Sequence, residues 1–181
     1  VLLGVLVGLL RIVSLYKQNG ARIFPRKMPS AFGWDLLTQW WQRPRLLREG
    51  TEALREALTE IFQQTTMKQL WDKRNIALAI PAVNMATYRA WVFKTPHDAQ
   101  TNHRDDQFSL VDVCLATSAA PLFRSLAGIA NPYGGGHNVF ADGGLWANNP
   151  ILVALVEALR ILGTREEGIE IFALGTCGKP E

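Results

Sequence analysis

A strand, a tight turn and a helix start follow one another in Phe140-Ala141-Asp142-Gly143-Gly144-Leu145-Trp146-Ala147-Asn148-Asn149-Pro150. Residues 139–141 predict a short strand that ends at Asp142. The two glycines permit a tight turn and a close approach of other backbone. Asn149 suits a helix N-cap and Pro150 the first helical position, so free N–H groups lie near the acid. The stretch predicts a functional carboxylate at a strand end; an Asp-Gly turn without chemical role is the equal alternative on local sequence alone.

Downstream of this stretch the sequence predicts a helix and then a strand. The helix ends at Gly163, and its buried stripe is predicted from five apolar residues at helical spacing: Leu152, Leu155, Val156, Leu159 and Leu162. Residues 169–174 are apolar apart from Glu170, which predicts a strand in the centre of a sheet.

Upstream of it, strands are predicted at residues 76–83 and 89–94. A helix is predicted at 110–118, with Ser109 and Asp112 as a capping box. The polar residues 95–107 indicate a surface loop. The glycine-rich residues 130–138 indicate a flexible connection, because they lack the GxGxxG or Lys-Ser/Thr pattern of a phosphate cradle.

The first third of the chain predicts helices. One covers residues 1–19 and ends at Gly20, and another covers 51–63 and is capped by Thr51. Residues 34–48 are ambiguous and are compatible with a short helix broken at Pro44. The later alternation of strands and helices indicates an α/β layered domain.

Length and composition indicate one globular domain. The chain has 181 residues, of which 48% are hydrophobic and 19% charged, and this excludes a disordered protein. The two cysteines, Cys114 and Cys177, show no metal-ligand or CxxC spacing, so neither a disulfide scaffold nor a zinc module is indicated. Two buried thiols and a reducing, cytoplasmic location are expected. The sequence contains no run of eighteen apolar residues, so a membrane-spanning helix is not predicted.

Charge is unevenly distributed along the chain. Residues 1–48 hold eight basic side chains and one acidic one, a net charge of +7, whereas the remainder has 11 basic and 15 acidic side chains. Residues 34–48 also combine three tryptophans with three arginines, a pairing that suits a membrane–water interface. The alternatives are a helix whose tryptophans pack inward, or stacking on nucleic acid. No nucleic-acid-binding motif accompanies the patch, so nucleic acid is not an expected partner.

Several blocks together resemble the patatin-like phospholipase family. The most specific, in this order and spacing, are Ala116-Thr117-Ser118-Ala119-Ala120-Pro121, Phe140-Ala141-Asp142-Gly143-Gly144-Leu145 and Ala147-Asn148-Asn149-Pro150. Further agreement comes from Ile80-Pro81-Ala82, Ala173-Leu174-Gly175-Thr176 and Arg22-Ile23-Phe24-Pro25. Among bacterial members, the sequence of residues 145–150 is most similar to that of signal-activated phospholipases.

The resemblance implies a three-layer patatin-like sheet with flanking helices, related to the α/β-hydrolases, in a single domain over residues 1–181. It also implies a Ser–Asp dyad without histidine, in which Asp142 is the general base and Gly143 and Gly144 support it. A serine hydroxyl is a poor nucleophile until a base takes its proton. No metal or cofactor is implied.

The sequence departs from the family pattern at the nucleophile. It contains no GxSxG and no upstream glycine-rich oxyanion loop, and none of its five serines has the flanking glycines of a nucleophile elbow. The chain begins at Val1 inside an apolar run, so we expect a domain truncated upstream of residue 1 that cannot hydrolyse esters by itself. Ser118 is expected to be structural or pocket-lining.

The three histidines are not expected to act in catalysis or metal binding. His97 and His103 lie among acids in one polar loop, where solvated side chains are expected rather than a metal site. His137 could be mistaken for a triad member, but the dyad implies that Asp142 acts without it.

The function expected from the resemblance is a lipid acyl hydrolase of the phospholipase A type, acting on membrane phospholipids at the membrane surface as a peripheral protein. The alternative is a non-catalytic lipid-binding or regulatory module that has lost the serine. Acyl transfer in place of hydrolysis is not distinguished by the sequence.

Overall fold

The computed structural model describes residues 14, 17–23, 34–121, 123–163 and 168–174. Residues 17–23 are helical. The helices that follow are α1 (Trp34–Phe62), α2 (Met67–Arg74), α3 (Leu110–Thr117), α4 (Gly144–Ala147) and α5 (Ile151–Leu162). The strands are β1 (Ala79–Asn84), β2 (Arg89–Lys94), β3 (Ala127–Ala130) and β4 (His137–Asp142), and a 3₁₀ turn covers Ala99–Thr101.

The four strands form one antiparallel sheet in the order β2-β1-β4-β3. Ala82 of β1 lies opposite Asp142 of β4, and Ala127 of β3 lies opposite Phe140. Helices flank this sheet, so the expected mixed α/β class is confirmed. β2 has the predicted bounds, and α3 begins at the predicted residue behind its Ser109 cap.

A cluster of aromatic rings fills the core on one side of the sheet. Phe93 is fully buried, with its ring centroid 5.0 Å from Phe140 and 5.3 Å from Phe108. Trp91 packs edge-on to Phe140 at 5.6 Å. Because Phe140 is two residues before Asp142, this packing fixes the strand that carries the acid. Burying each large ring contributes about 2–3 kcal/mol of hydrophobic stabilisation.

α1 runs through Pro44 without a break, so the predicted break and the Thr51 cap are both wrong. The Thr51 hydroxyl instead donates to the carbonyl of Leu47, one turn earlier in the same helix, at 2.8 Å. The ion pair Arg45–Glu49, at 2.9 Å, joins successive turns next to the proline. The side chains of residues 34–43 lie outside the described part, so the predicted roles of the tryptophans there stay predictions.

α2 was not predicted, although its start has a clear sequence pattern. The Thr66 side chain accepts from the N–H of Gln69, and the Gln69 side chain accepts from the N–H of Thr66, which is a complete capping box. At Ser109 the box is different: its hydroxyl accepts from the Asp112 N–H and donates to the Asp112 carboxylate.

The C-terminal predictions fail in two places. Residues 168–174 have no strand pairing, and Phe172 is 86% exposed. The predicted buried stripe of α5 is also wrong, because Leu152 and Leu159 are 73% and 53% exposed. Helical spacing identifies residues that share a face, but not whether a partner covers that face. Gly163 does end α5, and its N–H donates to Leu159.

Two further elements differ from their predictions. The helical residues 17–23 pass through Gly20, so Gly20 is not a C-cap. The predicted helix over residues 1–13 lies outside the described part. The glycine-rich segment is the loop of the β3–β4 hairpin, where Gly134, Gly135 and Gly136 all have φ near +90° to +101°. β3 was missed because its four residues are short and carry a glycine.

The helices between residues 14 and 174 that the structure describes include none long and apolar enough to cross a membrane.

Candidate active site

Asp142 is the last residue of β4 and is held by backbone contacts on both sides. Its N–H donates to the carbonyl of Ala119 at 3.0 Å. One carboxylate oxygen, Oδ1, accepts from the N–H of Gly144 at 2.5 Å. The residue is partly exposed, so its carboxylate is oriented by the turn and remains accessible to a reacting group.

Gly143 cannot be replaced by a residue with a side chain without moving the backbone. A Cβ built there would overlap the carbonyl oxygen of Pro81 and lie 2.5 Å from its carbonyl carbon. Its φ of −63° is ordinary, so the glycine is required by close approach and not by conformation. Its N–H points to the carbonyl of Thr117 at 3.4 Å. A Cβ at Gly144 would lie 3.0 Å from Asp142 Oδ1 and 3.5 Å from Asn148 Oδ1.

Three separate segments meet at this turn. The Thr117 hydroxyl donates to the carbonyl of Pro81 at 2.7 Å, and the Trp146 indole N–H donates to the carbonyl of Ala82 at 2.9 Å. Together with the contacts of Asp142 and Gly143, these bonds bring residues 80–82, 116–121 and 140–146 into one site. The structure therefore joins three of the motif blocks that the sequence singled out, although Ala82 and Trp146, which are bonded here, lie 64 positions apart.

Ser118 lies in this site, but its hydroxyl proton is used within α3. Its Oγ donates to the carbonyl of Cys114 at 2.7 Å. A hydroxyl has one proton to give, so Ser118 is bonded in the way expected of a structural residue. Burial in the same helix raises the pKa of the Cys114 thiol.

His137 lies at the far end of β4 from Asp142. The two residues are five positions apart along the strand, a distance of about 17 Å at the usual rise per residue. That distance is far beyond hydrogen-bond reach, so the two residues cannot belong to one catalytic triad.

The polar loop after β2 is more buried than predicted. The His97 side chain is fully buried, so the expectation that it is solvated is wrong. Asp105 is also buried, and it accepts from the Lys94 N–H and from the guanidinium of Arg104, which stacks 3.8 Å from the ring centroid of Trp91. His103 is 70% exposed and contacts Asp106. Over the described residues, no group of three or more His, Cys, Asp or Glu side chains could hold a metal ion.

Comparison with known proteins now decides the family. The sequence model described as Patatin-like phospholipase matches residues 11–155, which is most of the chain. The chain belongs to the patatin-like phospholipase family.

Three curated relatives are similar over long stretches, and each is named a cGAMP-activated phospholipase. The one from Pseudomonas aeruginosa (strain BWHPSA011 / Pa011) is 37% identical over 165 residues, which cover 90% of this chain and 44% of that protein. The one from Vibrio cholerae is 30% identical over 172 residues, covering 92% and 46%. The one from Escherichia coli (strain TW11681) is 39% identical over 135 residues, covering 72% and 35%. The chain thus spans less than half the length of these relatives.

Beyond the family's motif blocks, the structure shows an open groove of about 810 Å³ between α1 and β3. Its walls carry Arg45, Arg48 and Arg55, and its floor includes Leu115 and Leu126. Each arginine is paired with an acid: Glu49, Glu52 and Asp112 respectively. The groove is therefore close to neutral and shares no residue with the contacts of Asp142.

Sequence reasoning missed one buried polar cluster in this member of the family. Glu157 of α5 contacts Lys94 Nζ at 2.6 Å and His97 Nε2 at 3.1 Å, and its side chain is only 8% exposed. Burial acts to raise the pKa of Glu157, but the hydrogen bonds from Lys94 and His97 and the charges of Lys94 and Arg160 bring it below its usual value. One sequence pattern does indicate this cluster: Glu157 is an acid in the middle of an apolar helix. Such a residue needs a cationic partner if it is buried.

Proposed function

We propose that this chain supplies the general base of a lipid acyl hydrolase that cleaves acyl esters of membrane phospholipids. Asp142 takes the proton of a serine, and the serine attacks the ester carbonyl. The proposal rests on the orientation of the Asp142 carboxylate. The Gly144 N–H donates to its Oδ1, and the residue is partly exposed. A base fixed in this way can meet a nucleophile in one geometry without reorganisation.

The serine, on this proposal, lies in a segment outside the 181 residues. None of the five serines of the sequence stands in a GxSxG motif. The apolar face of α5, with Leu152, Val156 and Leu159 exposed, offers that segment a surface on the helix that follows α4 and residues 148–150. This proposal makes the domain a single patatin-like unit of which residues 1–181 form one part, and it makes the chain alone inactive.

The decisive experiment compares Asp142→Asn and His137→Ala in the full-length protein, meaning this chain together with the serine-bearing segment. Hydrolysis of a fluorescent phospholipid in vesicles should fall by about 10² to 10⁴ in Asp142→Asn, the usual range for loss of a general base. His137→Ala should retain activity, because His137 lies at the other end of the strand. Full activity of Asp142→Asn would contradict the proposal, and so would measurable serine turnover by the 181-residue chain alone.

A non-catalytic lipid-binding or regulatory module is the second candidate, and the missing GxSxG favours it. A serine-directed fluorophosphonate separates the two functions. Labelling of the full-length protein at a serine outside this chain supports the enzyme. Vesicle binding without labelling or hydrolysis supports the module.

We also propose that the activity is controlled by cGAMP and exerted at a membrane surface. The first part rests on the printed names of the three relatives. The second rests on the net charge of +7 in residues 1–48, which favours anionic lipid. Hydrolysis should rise on adding cGAMP and not on adding AMP with GMP. Binding should be stronger to vesicles with anionic lipid than to neutral ones, and should weaken as salt is raised.

A further inference from the structure

α5 is attached to the sheet by a polar contact in its middle. Within this helix, all twelve residues of which the structure describes, Glu157 is the one buried residue. Leu152, Val156 and Leu159 face outward. A helix normally docks through a buried apolar stripe, whereas the apolar residues of α5 that are not exposed, such as Leu155 and Leu162, are only half-buried. Glu157 therefore makes the most buried contact of this helix.

Three cationic or polar groups from different elements meet the Glu157 carboxylate. Lys94, at the end of β2, contacts Oε1 at 2.6 Å and is only 18% exposed. His97, from the following loop, contacts Oε2 through Nε2 at 3.1 Å. Arg160, one turn along α5, lies 3.9 Å from Oε1. Each carboxylate oxygen therefore has its own partner.

Thr95 sets the direction of the His97 hydrogen bond. Its hydroxyl oxygen accepts from the Leu78 N–H at 2.9 Å and lies 2.8 Å from His97 Nδ1. The other acceptor for its proton, the Ile76 carbonyl, is 3.5 Å away, which is long for an O–H donor. When the Thr95 hydroxyl donates its hydrogen bond to Nδ1, the neutral His97 ring has its own proton on Nε2 and donates a hydrogen bond from there to Glu157.

The start of α5 adjoins the turn that carries Asp142. Residues 148–150 are all that separate α4 from α5. A Cβ at Gly144 would lie 3.5 Å from Asn148 Oδ1 and 3.0 Å from Asp142 Oδ1, so both oxygens lie against the same glycine. Asn149 Oδ1 accepts from the Ile151 N–H at 3.2 Å. Movement of α5 would therefore displace groups next to the carboxylate.

This segment has two polar attachments to the sheet. The Trp146 indole holds α4 to Ala82 of β1, and Glu157 holds α5 to Lys94 at the end of β2. Glu157 is six residues into α5, about 9 Å along its axis. Two attachments so far apart constrain the direction of the helix more than Trp146 alone would.

We propose that Glu157 is a positioning residue: through Lys94 and His97 it fixes α5 against the sheet and holds residues 143–150 in place beside the Asp142 carboxylate. As far as hydrolysis is concerned, this inference rests on the proposed function. The placement of residues 143–150 can be tested without it.

The first test is hydrogen exchange of the full-length protein, measured by mass spectrometry on peptides covering 143–150 and 151–162. Glu157→Gln should speed exchange in both peptides by about tenfold or more, because local opening is then easier. Lys94→Gln should act in the same direction if Glu157→Gln does not fold. Glu56→Gln is the matched control: it makes the same substitution in the exposed ion pair Arg22–Glu56 and should change neither peptide.

The second test restores the attachment without charge. Since a well-packed apolar pair can replace a buried ion pair, Lys94→Met with Glu157→Met should recover most of the protection in both peptides. Unchanged exchange of residues 143–150 in folded Glu157→Gln or Lys94→Gln would overturn the proposal. An equal increase in Glu56→Gln would also overturn it.

The third test measures hydrolysis per active site, with sites counted by fluorophosphonate titration. Glu157→Gln should lower kcat per titrated site by about tenfold with little change in KM, the pattern of a misplaced catalytic group. A loss of titrated sites with unchanged kcat per site would mean a merely structural role and would overturn the proposal. Absence of hydrolysis in the unmodified protein would contradict the proposed function instead, and exchange would then decide the placement of residues 143–150.

Discussion

The Thr117 hydroxyl and the Cα of Gly143 both lie against the same carbonyl group, that of Pro81. Thr117 Oγ1 donates to it at 2.7 Å, and a Cβ at Gly143 would overlap it. The end of α3, the middle of β1 and the turn after β4 are therefore packed around one backbone oxygen. Changes at either residue should affect the turn that carries Asp142.

Thr117→Val should lower the free energy of unfolding by about 1–3 kcal/mol, because it removes the donor and leaves a partly buried carbonyl without its bond. Thr117→Ser keeps the hydroxyl and should cost clearly less. Urea unfolding of both variants measures the difference. Equal losses in the two would mean that the methyl group, and not the hydrogen bond, matters.

Gly143→Ala should be far more damaging than Gly144→Ala. The added methyl at 143 meets backbone, which cannot rotate away, and overpacking of this kind costs about 1–3 kcal/mol or more. At 144 the nearest atoms belong to the Asp142 and Asn148 side chains, which can shift. Thermal unfolding ranks the two variants, and comparable melting temperatures would contradict the packing found at Pro81.

Stability should fall in acid partly through Glu157. Its pKa in the folded protein lies below the unfolded value, so its contribution is present above about pH 4.3 and is lost as the pH falls through the folded value. The difference in free energy of unfolding between the unmodified protein and Glu157→Gln should therefore stay constant from neutrality down to about pH 4.3 and shrink below that pH. Urea titrations at several pH values measure it, with Glu56→Gln as the control for loss of a carboxylate in general. A difference that did not shrink in acid would count against the ion pair.

Cys114 should react slowly with thiol reagents in the folded protein. Burial raises its pKa, and the thiolate is the reactive form. In a Cys177→Ser variant, which leaves Cys114 as the remaining cysteine of the sequence, labelling by a disulfide reagent near pH 8 should be slow until urea unfolds the protein. Rapid labelling under native conditions would show that α3 opens readily.

The sequence predicted the centre of the fold well. The aromatic and β-branched residues of β2 and the Ser109 cap of α3 act locally, so local rules placed them. The motif blocks around Asp142 lie together in the structure, through backbone bonds to Thr117 and Ala119, a contact that the sequence analysis did not predict. The catalytic role of Asp142 stays a prediction until it is measured.

Predictions failed where long-range packing decides the outcome. Helical spacing grouped Leu152 and Leu159 correctly on one face, but spacing does not tell whether anything covers that face. Residues 169–174 are apolar enough for a strand, yet pairing needs a neighbour that this part of the chain does not find. His97 was expected to be solvated, and the expectation failed because its partner, Glu157, is 60 positions away in the sequence.

The segment from 116 to 121 contributes to the site through its backbone carbonyls, through the Thr117 hydroxyl and through the small size of its alanines. Ala116 and Ala119 are buried, and the carbonyls of Thr117 and Ala119 receive the N–H groups of Gly143 and Asp142. Any residue can supply a carbonyl, so apart from the Thr117 hydroxyl this segment must provide shape. A designer who transplants the site into another scaffold should therefore copy the backbone path of residues 116–121, the Thr117 side chain and the small size of the alanines, together with the glycine at 143.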